Sequence, residues 1–325
     1  MALDPAPRRA ANADRLNLMT KVARLYHEQG LRQPEIAQRL HVSQSRVSRL
    51  LKEAADTGIV RTVVIPPAGV YSEIEDALRD RFGLADAVIT EAPSDSESAL
   101  LSALGGAGAQ YLEATLTGSD RIGISSWSST LLATVDSMQP RGTRSAVEVV
   151  QLIGGVGSPS VQVQATHLAE RLAQVTGADA RFLPAPGIVA SPAVRDALLG
   201  DRYIGDVAEL WAHLTVALVG IGSLEPSPLL ESSGNAVSAP DRDALREHGA
   251  VGDVCLRFFG PDGELVDAEL HDRVVGIGSG QLRAIPRIVG IAGGARKLAA
   301  IRAAAEGGWI HVLVTDLETA RALLA

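Results

Sequence analysis

What most limits the fold of this chain is a recurring alternation of short aliphatic runs of strand length with stretches of helical spacing. From Asp86 onward the runs are DAVIT, RIGIS, VEVVQLI, ARFLPA, LTVALVGIG, DVCLRFF, RVVGIG, RIVGIAGG and HVLVTD. Most are parted by segments such as SEIEDALRDRF, QATHLAERLAQVTG and ARKLAAIRAAAEGG, which carry apolar residues three and four apart. A strand that is apolar at nearly every position needs both of its faces buried, and the intervening helices supply the cover. The pattern predicts a mostly parallel sheet in a doubly wound, Rossmann-like α/β body.

In such sheets ligands bind beyond the carboxyl ends of the strands. Several of those ends are rich in small residues: GISSWSST, GGVGSPS, GIGS at Gly220 to Ser223, and GGARK at Gly293 to Lys297. Small residues let backbone amides approach a ligand, and a helix starting directly after the loop offers its positive end to an anion. Ser125, Ser126, Ser128, Ser129 and Thr130, just before TLLATVDSM, form the best candidate for a phosphate cradle. Gly222 lies in a second such loop. Lys297 opens a helix and can supply a point charge, and Asp253 at the start of VCLRFF can accept hydrogen bonds from sugar hydroxyls. The plain alternatives are an ordinary strand-to-helix turn, an exposed helix lysine and a structural cap. No loop completes GxGxxG, because Gln281 stands where the third Gly is needed, and Arg296 rather than Gly precedes Lys297. A dinucleotide and a nucleoside triphosphate are unsupported, and no cofactor is expected.

The N-terminal fifth reads differently. In QPEIAQRLHVSQSRVSRLLKEAADTG, residues Ile36, Ala37, Leu40, Val42, Val47, Leu50, Leu51 and Ala54 form two short helical stripes separated by a tight break. Ser43 stands where a helix cap is wanted, and Arg46 occupies the place of the acid that would complete a capping box. On the second helix Ser45 and Arg49 point away from the apolar stripe, flanked by Ser48 and Lys52, and no acid sits at the centre of that face. Short hydroxyls, Gln44 and the guanidinium forks of Arg46 and Arg49 suit base edges and phosphates in a DNA major groove. The alternative is a solvated helical hairpin. A preceding helix from about Leu16 to Gln29, with Leu18, Val22, Leu25 and Tyr26 inward, supplies the third member of a free-standing unit, and IVRTVVIPP after it reads as a strand that could form a wing. The arrangement of Ala37, Val42, Val47 and Leu50 resembles the helix-turn-helix of bacterial transcription regulators, with His41 where that motif often has Gly.

Charge supports the division. Through Ile65 there are 11 Lys and Arg against 6 Asp and Glu, a head of about +5, whereas the whole chain is −8. The adjacent Pro66 and Pro67 can continue neither a helix nor a central strand. The expected layout is a disordered arm over 1–14, the helix-turn-helix over 15–65, a linker over 66–71 and the α/β body over 72–325. One cysteine, Cys255, leaves no internal disulfide and no CxxC metal site. With no secretory pattern and no apolar run of spanning length, a cytoplasmic protein is expected.

Read together, the helix-turn-helix head, GISSWSSTL, VVQLIGG, the span from VALVGIGSL through GAVGDV to FFGPDGELVD, and AGGARKLAAIRAAAEGGWIHVLVTD resemble the SorC family of sugar-responsive bacterial regulators. That resemblance implies an effector domain similar to sugar-phosphate isomerases, a phosphorylated sugar or polyol as effector, operator DNA as partner, and a tetramer built as a dimer of dimers. It also implies roles: Ser125, Ser129 and Thr130 in a phosphate-contacting loop, Gly154 and Gly155 lining the pocket, Asp253 facing sugar hydroxyls and Lys297 at the phosphate end. The family loop often reads GxGWGxT, whereas this chain has Ser126 and Trp127 in a loop one residue longer. Two rival readings stand beside a non-enzymatic regulator: a sugar-phosphate isomerase-like enzyme fused to a DNA-binding head, and a pure oligomerisation module with an emptied pocket.

Overall fold

The computed structural model describes residues 6–60, 69–94, 96–140, 142–155, 162–225 and 237–325. The chain divides into two compact units between Pro66 and Pro67.

The first unit is trihelical: α1 (Ala6–His27), α2 (Gln33–Arg39) and α3 (Gln44–Asp56). Its core joins Met19, Val22, Ala23 and Leu25 of α1 to Ile36 and Ala37 of α2 and to Val47, Leu50 and Ala54 of α3. Two expectations are corrected. Helix α1 starts at Ala6, inside the segment read as an arm over 1–14, because a proline is tolerated in a first turn and the Ala and Arg residues after Pro7 are strong helix formers. Tyr26 is 39% exposed rather than inward, and its ring lies edge-on to His27 at 4.9 Å; Met19 and Ala23 take the inward places. The expected wing strand over 59–67 lies outside the described residues from Arg61 onward.

The turn between α2 and α3 shows how a non-glycine residue serves at its sharpest point. His41 adopts φ 55°, while the Val42 amide donates to the Ala37 carbonyl at 3.0 Å and the His41 amide to that of Gln38 at 3.3 Å. This is the Schellman arrangement, in which otherwise unpaired carbonyls at a helix end are satisfied by the two residues after the cap.

The second unit is a seven-stranded, wholly parallel sheet with helices on both faces, the doubly wound architecture that the alternation predicts. Its strands are β1 (Asp86–Thr90), β2 (Arg121–Ile124), β3 (Glu148–Gln151), β4 (Asp179–Arg181), β5 (Val216–Gly220), β8 (Arg287–Ile291) and β9 (Val312–Asp316), in the order β1-β9-β8-β5-β2-β3-β4. Strand alternation sorts the core into two clusters. Ile122, Ile124, Leu218, Val289 and Val314 pack with Leu112 of helix α5 (Glu97–Thr115), Leu131 of α6 (Ser129–Ser137) and Leu172 of α7 (Gln162–Thr176). Ala217, Val219, Ile288 and Leu313 pack with Leu78 of α4 (Ser72–Phe82), Ile301 of helix 298–306 and Leu323 of helix 317–324. Helices α5 and α6 approach closely because a side chain at Gly105 would meet the Ala133 backbone at 2.8 Å.

Two of the apolar runs do not join this sheet. DVCLRFF folds back on itself as β6 (Gly252–Val254) and β7 (Arg257–Phe259), an antiparallel pair closed by Cys255 and Leu256 at φ 54° and 57°. RVVGIG is buried but makes only isolated bridges, Val274 with Ile188 and Gly276 with Ile153. Its polar backbone is satisfied elsewhere: the guanidinium of buried Arg257 donates to the carbonyls of Ile277, Gly276 and His271, and the Ile277 amide donates to Leu152 at 2.8 Å. Among the described residues no helix is long and apolar enough to cross a membrane.

Candidate functional site

The outward face of α3 in the first unit holds the residues expected to meet DNA. Ser43 caps the helix, its hydroxyl accepting from the Arg46 amide at 3.3 Å, so Arg46 completes the cap with its backbone and leaves its side chain outward. Ser43, Gln44, Ser45, Arg46, Ser48, Arg49 and Lys52 are all exposed, while Val47, Leu50 and Ala54 are buried. Within this set the one hydrogen bond between two side chains joins the hydroxyls of Ser43 and Ser45 at 3.1 Å. The nearby acid Glu53 is held by Arg15 at 2.8 Å. Among the described residues Arg46, Arg49 and Lys52 form no ion pair, which leaves their cationic groups available to an external anion.

In the second unit the strand order reverses between β2 and β5: β3 and β4 lie to one side of β2, and β5, β8 and β9 to the other. Connections leaving a sheet in opposite directions open a crevice at the carboxyl ends of the two strands. A cavity of about 490 Å³ lies at this place, a size suited to a small molecule.

Each wall of the cavity comes from a loop whose sequence demands its shape. After β2 come Ser125, Trp127, Ser128, Ser129 and Thr130. The Ser128 hydroxyl accepts from the Leu131 amide at 3.2 Å, capping α6, so the first-turn amides of Ser129 and Thr130 are those with no acceptor within the helix. After β5 come Gly220, Ile221, Gly222, Ser223 and Glu225; a side chain at Gly220 would meet the Ser128 hydroxyl at 2.6 Å, and one at Gly222 would lie 1.9 Å from Asp253 Oδ1. Gly222 and Asp253 are tied by paired backbone hydrogen bonds of 2.9 and 3.2 Å, which carry the β6–β7 turn, with Asp253, Cys255 and Leu256, onto the cavity.

After β8 the loop Gly293 to Lys297 supplies the cations Arg296 and Lys297. It is clamped from below by Asp316, a buried carboxylate whose Oδ2 accepts from the Gly294 amide at 2.9 Å and from the Thr319 hydroxyl at 2.6 Å. Gly294 takes φ 90° there, and a side chain at Gly293 would meet that same oxygen at 2.2 Å. The last wall is α5, with Glu97, Leu100, Leu101 and Leu104.

The electrostatics are set by burial. Burial pushes the Asp253 carboxyl up from its ordinary 3.8 to about 6, against the hydrogen bond from the Leu256 amide and the attraction of Lys297. Burial also lowers the Lys297 ammonium from its usual value, while Asp253 draws it back up. Burial raises the Cys255 thiol, with Asp253 adding to the effect; a thiol so protonated is a poor nucleophile.

Of the ten residues expected at the effector site, Ser125, Ser128, Ser129, Thr130, Gly222, Asp253 and Lys297 line one cavity. Ser126, Gly154 and Gly155 do not. The Ser126 hydroxyl is buried and donates to the Ile153 carbonyl at 2.9 Å. A side chain at Gly154 would lie 2.3 Å from the Pro186 carbonyl, and one at Gly155 would meet Gln151 at 2.9 Å. Gly154 lets chain segments cross and Gly155 makes room for the Gln151 side chain, while Trp127 and Ile153 take the lining places. The rest of GGVGSPS falls outside the described residues. The reading from sequence missed Glu97, the α5 leucines, Glu225 and Asp316. Nothing local marks α5 as part of the site, although the Gly pair before Ala295 signals the close approach over Asp316. Among the described residues no cluster of His, Cys, Asp and Glu could hold a metal ion.

Residues 68–325 match the family model "Putative sugar-binding domain", and residues 4–63 match a helix-turn-helix domain. The chain is 31% identical over 311 residues to the deoxyribonucleoside regulator of Bacillus subtilis, covering 96% of this chain and 98% of that one. It is 31% identical over 320 residues to the sorbitol operon regulator of Klebsiella pneumoniae, covering 96% and 99%. The crystal structure of that full-length regulator, SorC, superposes with a TM-score of 0.71 at 30% identity, over 96% of this chain and 100% of the other.

Proposed function

Because this chain belongs to the SorC family of transcriptional regulators that join a helix-turn-helix to a sugar-binding domain, we propose that it binds operator DNA through α3 under the control of a phosphorylated sugar or polyol. The observation that carries the proposal is the cavity at the β2/β5 reversal, which brings the start of α6, Lys297 and Asp253 to one site. The phosphate is held by the first-turn amides of α6, by the hydroxyls of Ser125, Ser129 and Thr130, and by Lys297. Asp253 accepts from sugar hydroxyls. On the DNA side Arg46 and Arg49 read guanine edges, Gln44 reads adenine, and Ser43, Ser45, Ser48 and Lys52 contact phosphates or base edges.

The cavity walls belong to loops after β2, β5 and β8 and to the β6–β7 turn, so a ligand that draws them together favours one arrangement of the body over another. A ligand shifts an equilibrium only by its difference in affinity for the two states. A tenfold change in DNA affinity therefore needs a coupling of about 1.4 kcal/mol. The same proposal assigns the body the assembly role, a dimer of dimers that spaces the heads on an operator by one helical turn or a multiple of it.

The test is fluorescence anisotropy of labelled DNA from upstream of the protein's own gene, at one fixed salt concentration because phosphate contacts weaken steeply with salt. A panel of sugar phosphates is added. The expected result is that one compound changes the affinity and that Lys297→Ala abolishes its effect while leaving DNA binding in its absence intact. Specific DNA binding that no compound alters would refute the effector assignment. A second reading, catalysis on a sugar phosphate, draws on the Asp253 carboxyl near 6 as a base; disappearance of the ligand on incubation would favour it.

A further inference from the structure

We propose that the cavity takes a ligand with one phosphate and rejects a ligand with two. This rests on the sugar-phosphate reading above and narrows it to a substrate class.

The reasoning is one of charge balance inside a concave, partly desolvated space, where unpaired like charges repel more strongly than they do in bulk water. Two cations line the cavity, Arg296 and Lys297, against three carboxylates, Glu97, Glu225 and Asp253. Arg296 is exposed, which leaves Lys297 as the sheltered cation, and Lys297 feels both Asp253 and Glu97. Glu225 is fixed in place, its Oε1 2.6 Å from Arg246, but Arg246 is shared with Asp243 at 2.8 Å. Among the described residues Glu97 has no hydrogen bond or ion pair, and its exposed carboxylate acts on the cavity through the attraction that Lys297 feels. An acid in the first turn of α5 also favours that helix, and this explains its presence without removing its field from the cavity.

Among the described residues the remaining wall adds no third cation. Leu100, Leu101 and Leu104 of α5, with Trp127, Ile221 and Leu256, are apolar. The segments 156–161 and 226–236 contain no Lys or Arg, so they can add no cation. One phosphate dianion therefore meets two cations. A second phosphate would meet the carboxylates of Glu97 and Glu225 and an aliphatic surface, where its desolvation goes uncompensated.

The experiment uses the full chain, calorimetry and matched ionic strength, since salt screens this discrimination. The probes are inorganic phosphate, fructose 6-phosphate against fructose 1,6-bisphosphate, and ribose 5-phosphate against ribose 1,5-bisphosphate. The expected result is that phosphate or a monophosphate binds and that each bisphosphate binds at least about tenfold more weakly than its monophosphate. Glu97→Gln, combined with Glu225→Gln, narrows that gap by a similar factor, with the thermal melt of the variant confirming its fold. A bisphosphate that binds as tightly as its monophosphate overturns the inference and leaves the sugar-phosphate reading standing. A gap unchanged in the double variant overturns the role given to the two glutamates. Failure of every probe, inorganic phosphate included, overturns the sugar-phosphate reading and this inference with it.

Discussion

Replacing Asp253 with Asn should stabilise the ligand-free body at neutral pH. The carboxyl is held at about 6 instead of its ordinary 3.8, because burial removes water from the charged form. Below about pH 3 it carries its proton in the folded and the unfolded chain alike, and its contribution to stability is fully present. Between about pH 3 and 6 the unfolded chain ionises while the folded chain keeps the proton, so stability falls as pH rises. Above about 6 the loss is complete and amounts to about 3 kcal/mol. Asn has the same shape and never ionises, and its side-chain oxygen can still accept from the Leu256 amide, which is 2.9 Å away. Urea unfolding measures the effect without interference from the head, because Trp127, Trp211 and Trp309 all lie in the body. The variant should lead by only about 1 kcal/mol at pH 4.5 and by up to about 3 kcal/mol at pH 7.5. A variant less stable than its parent at pH 7.5, or a difference that does not change with pH, would refute the account of Asp253 as a carboxylate kept for ligand at the expense of stability.

Three further outcomes follow from the geometry. Arg49→Ala should weaken specific DNA binding by about ten- to a hundredfold, a loss of about 1–3 kcal/mol, with no change in the melting curve because the side chain is exposed and forms no ion pair among the described residues; unchanged affinity in anisotropy titrations would sink the recognition role. Ile36→Ala removes a fully buried side chain from the small core of the head and should cost about 2–5 kcal/mol. Circular dichroism should then show lost helix at temperatures where tryptophan fluorescence still reports a folded body. Gly222→Ala would put a methyl 1.9 Å from Asp253 Oδ1 and should destabilise the body by about 1–3 kcal/mol; a double variant with Asp253→Ser should regain most of that loss, and additive losses instead would show that the two positions do not clash.

The local elements were readable because their causes are local. Val47, Leu50 and Ala54 fall on one side of a helix by spacing alone, and Ser43 caps that helix with its own hydroxyl. The strands RIVGI and VLVTD are buried at nearly every position because helices cover both faces of the sheet, whereas the edge strand DAVIT alternates. DVCLRFF misled for a definable reason: a two-residue turn with both φ angles positive is usually marked by Asn or Gly. Here Cys255 and Leu256 are held in that conformation by burial and by the bond from the Leu256 amide to Asp253. RVVGIG misled because an apolar run records burial, not pairing, and this run is buried among loops and the Arg257 guanidinium.

By itself, then, the sequence determined most of the helical and strand segments, that a basic three-helix head precedes an acidic α/β body, and that small residues crowd the strand ends. Periodicity, charge and side-chain volume act over a few residues and are written in order along the chain. Only the tertiary structure decided that β5 lies beside β2, and hence that the loop at Ser125 faces Asp253 and Lys297 across one cavity. It also decided that Gly154 serves a chain crossing while Gly222 makes room for a carboxylate, and that Glu97 from a distant helix faces the same space. Those outcomes depend on strand order and on distances between residues far apart in the chain, which no local pattern encodes.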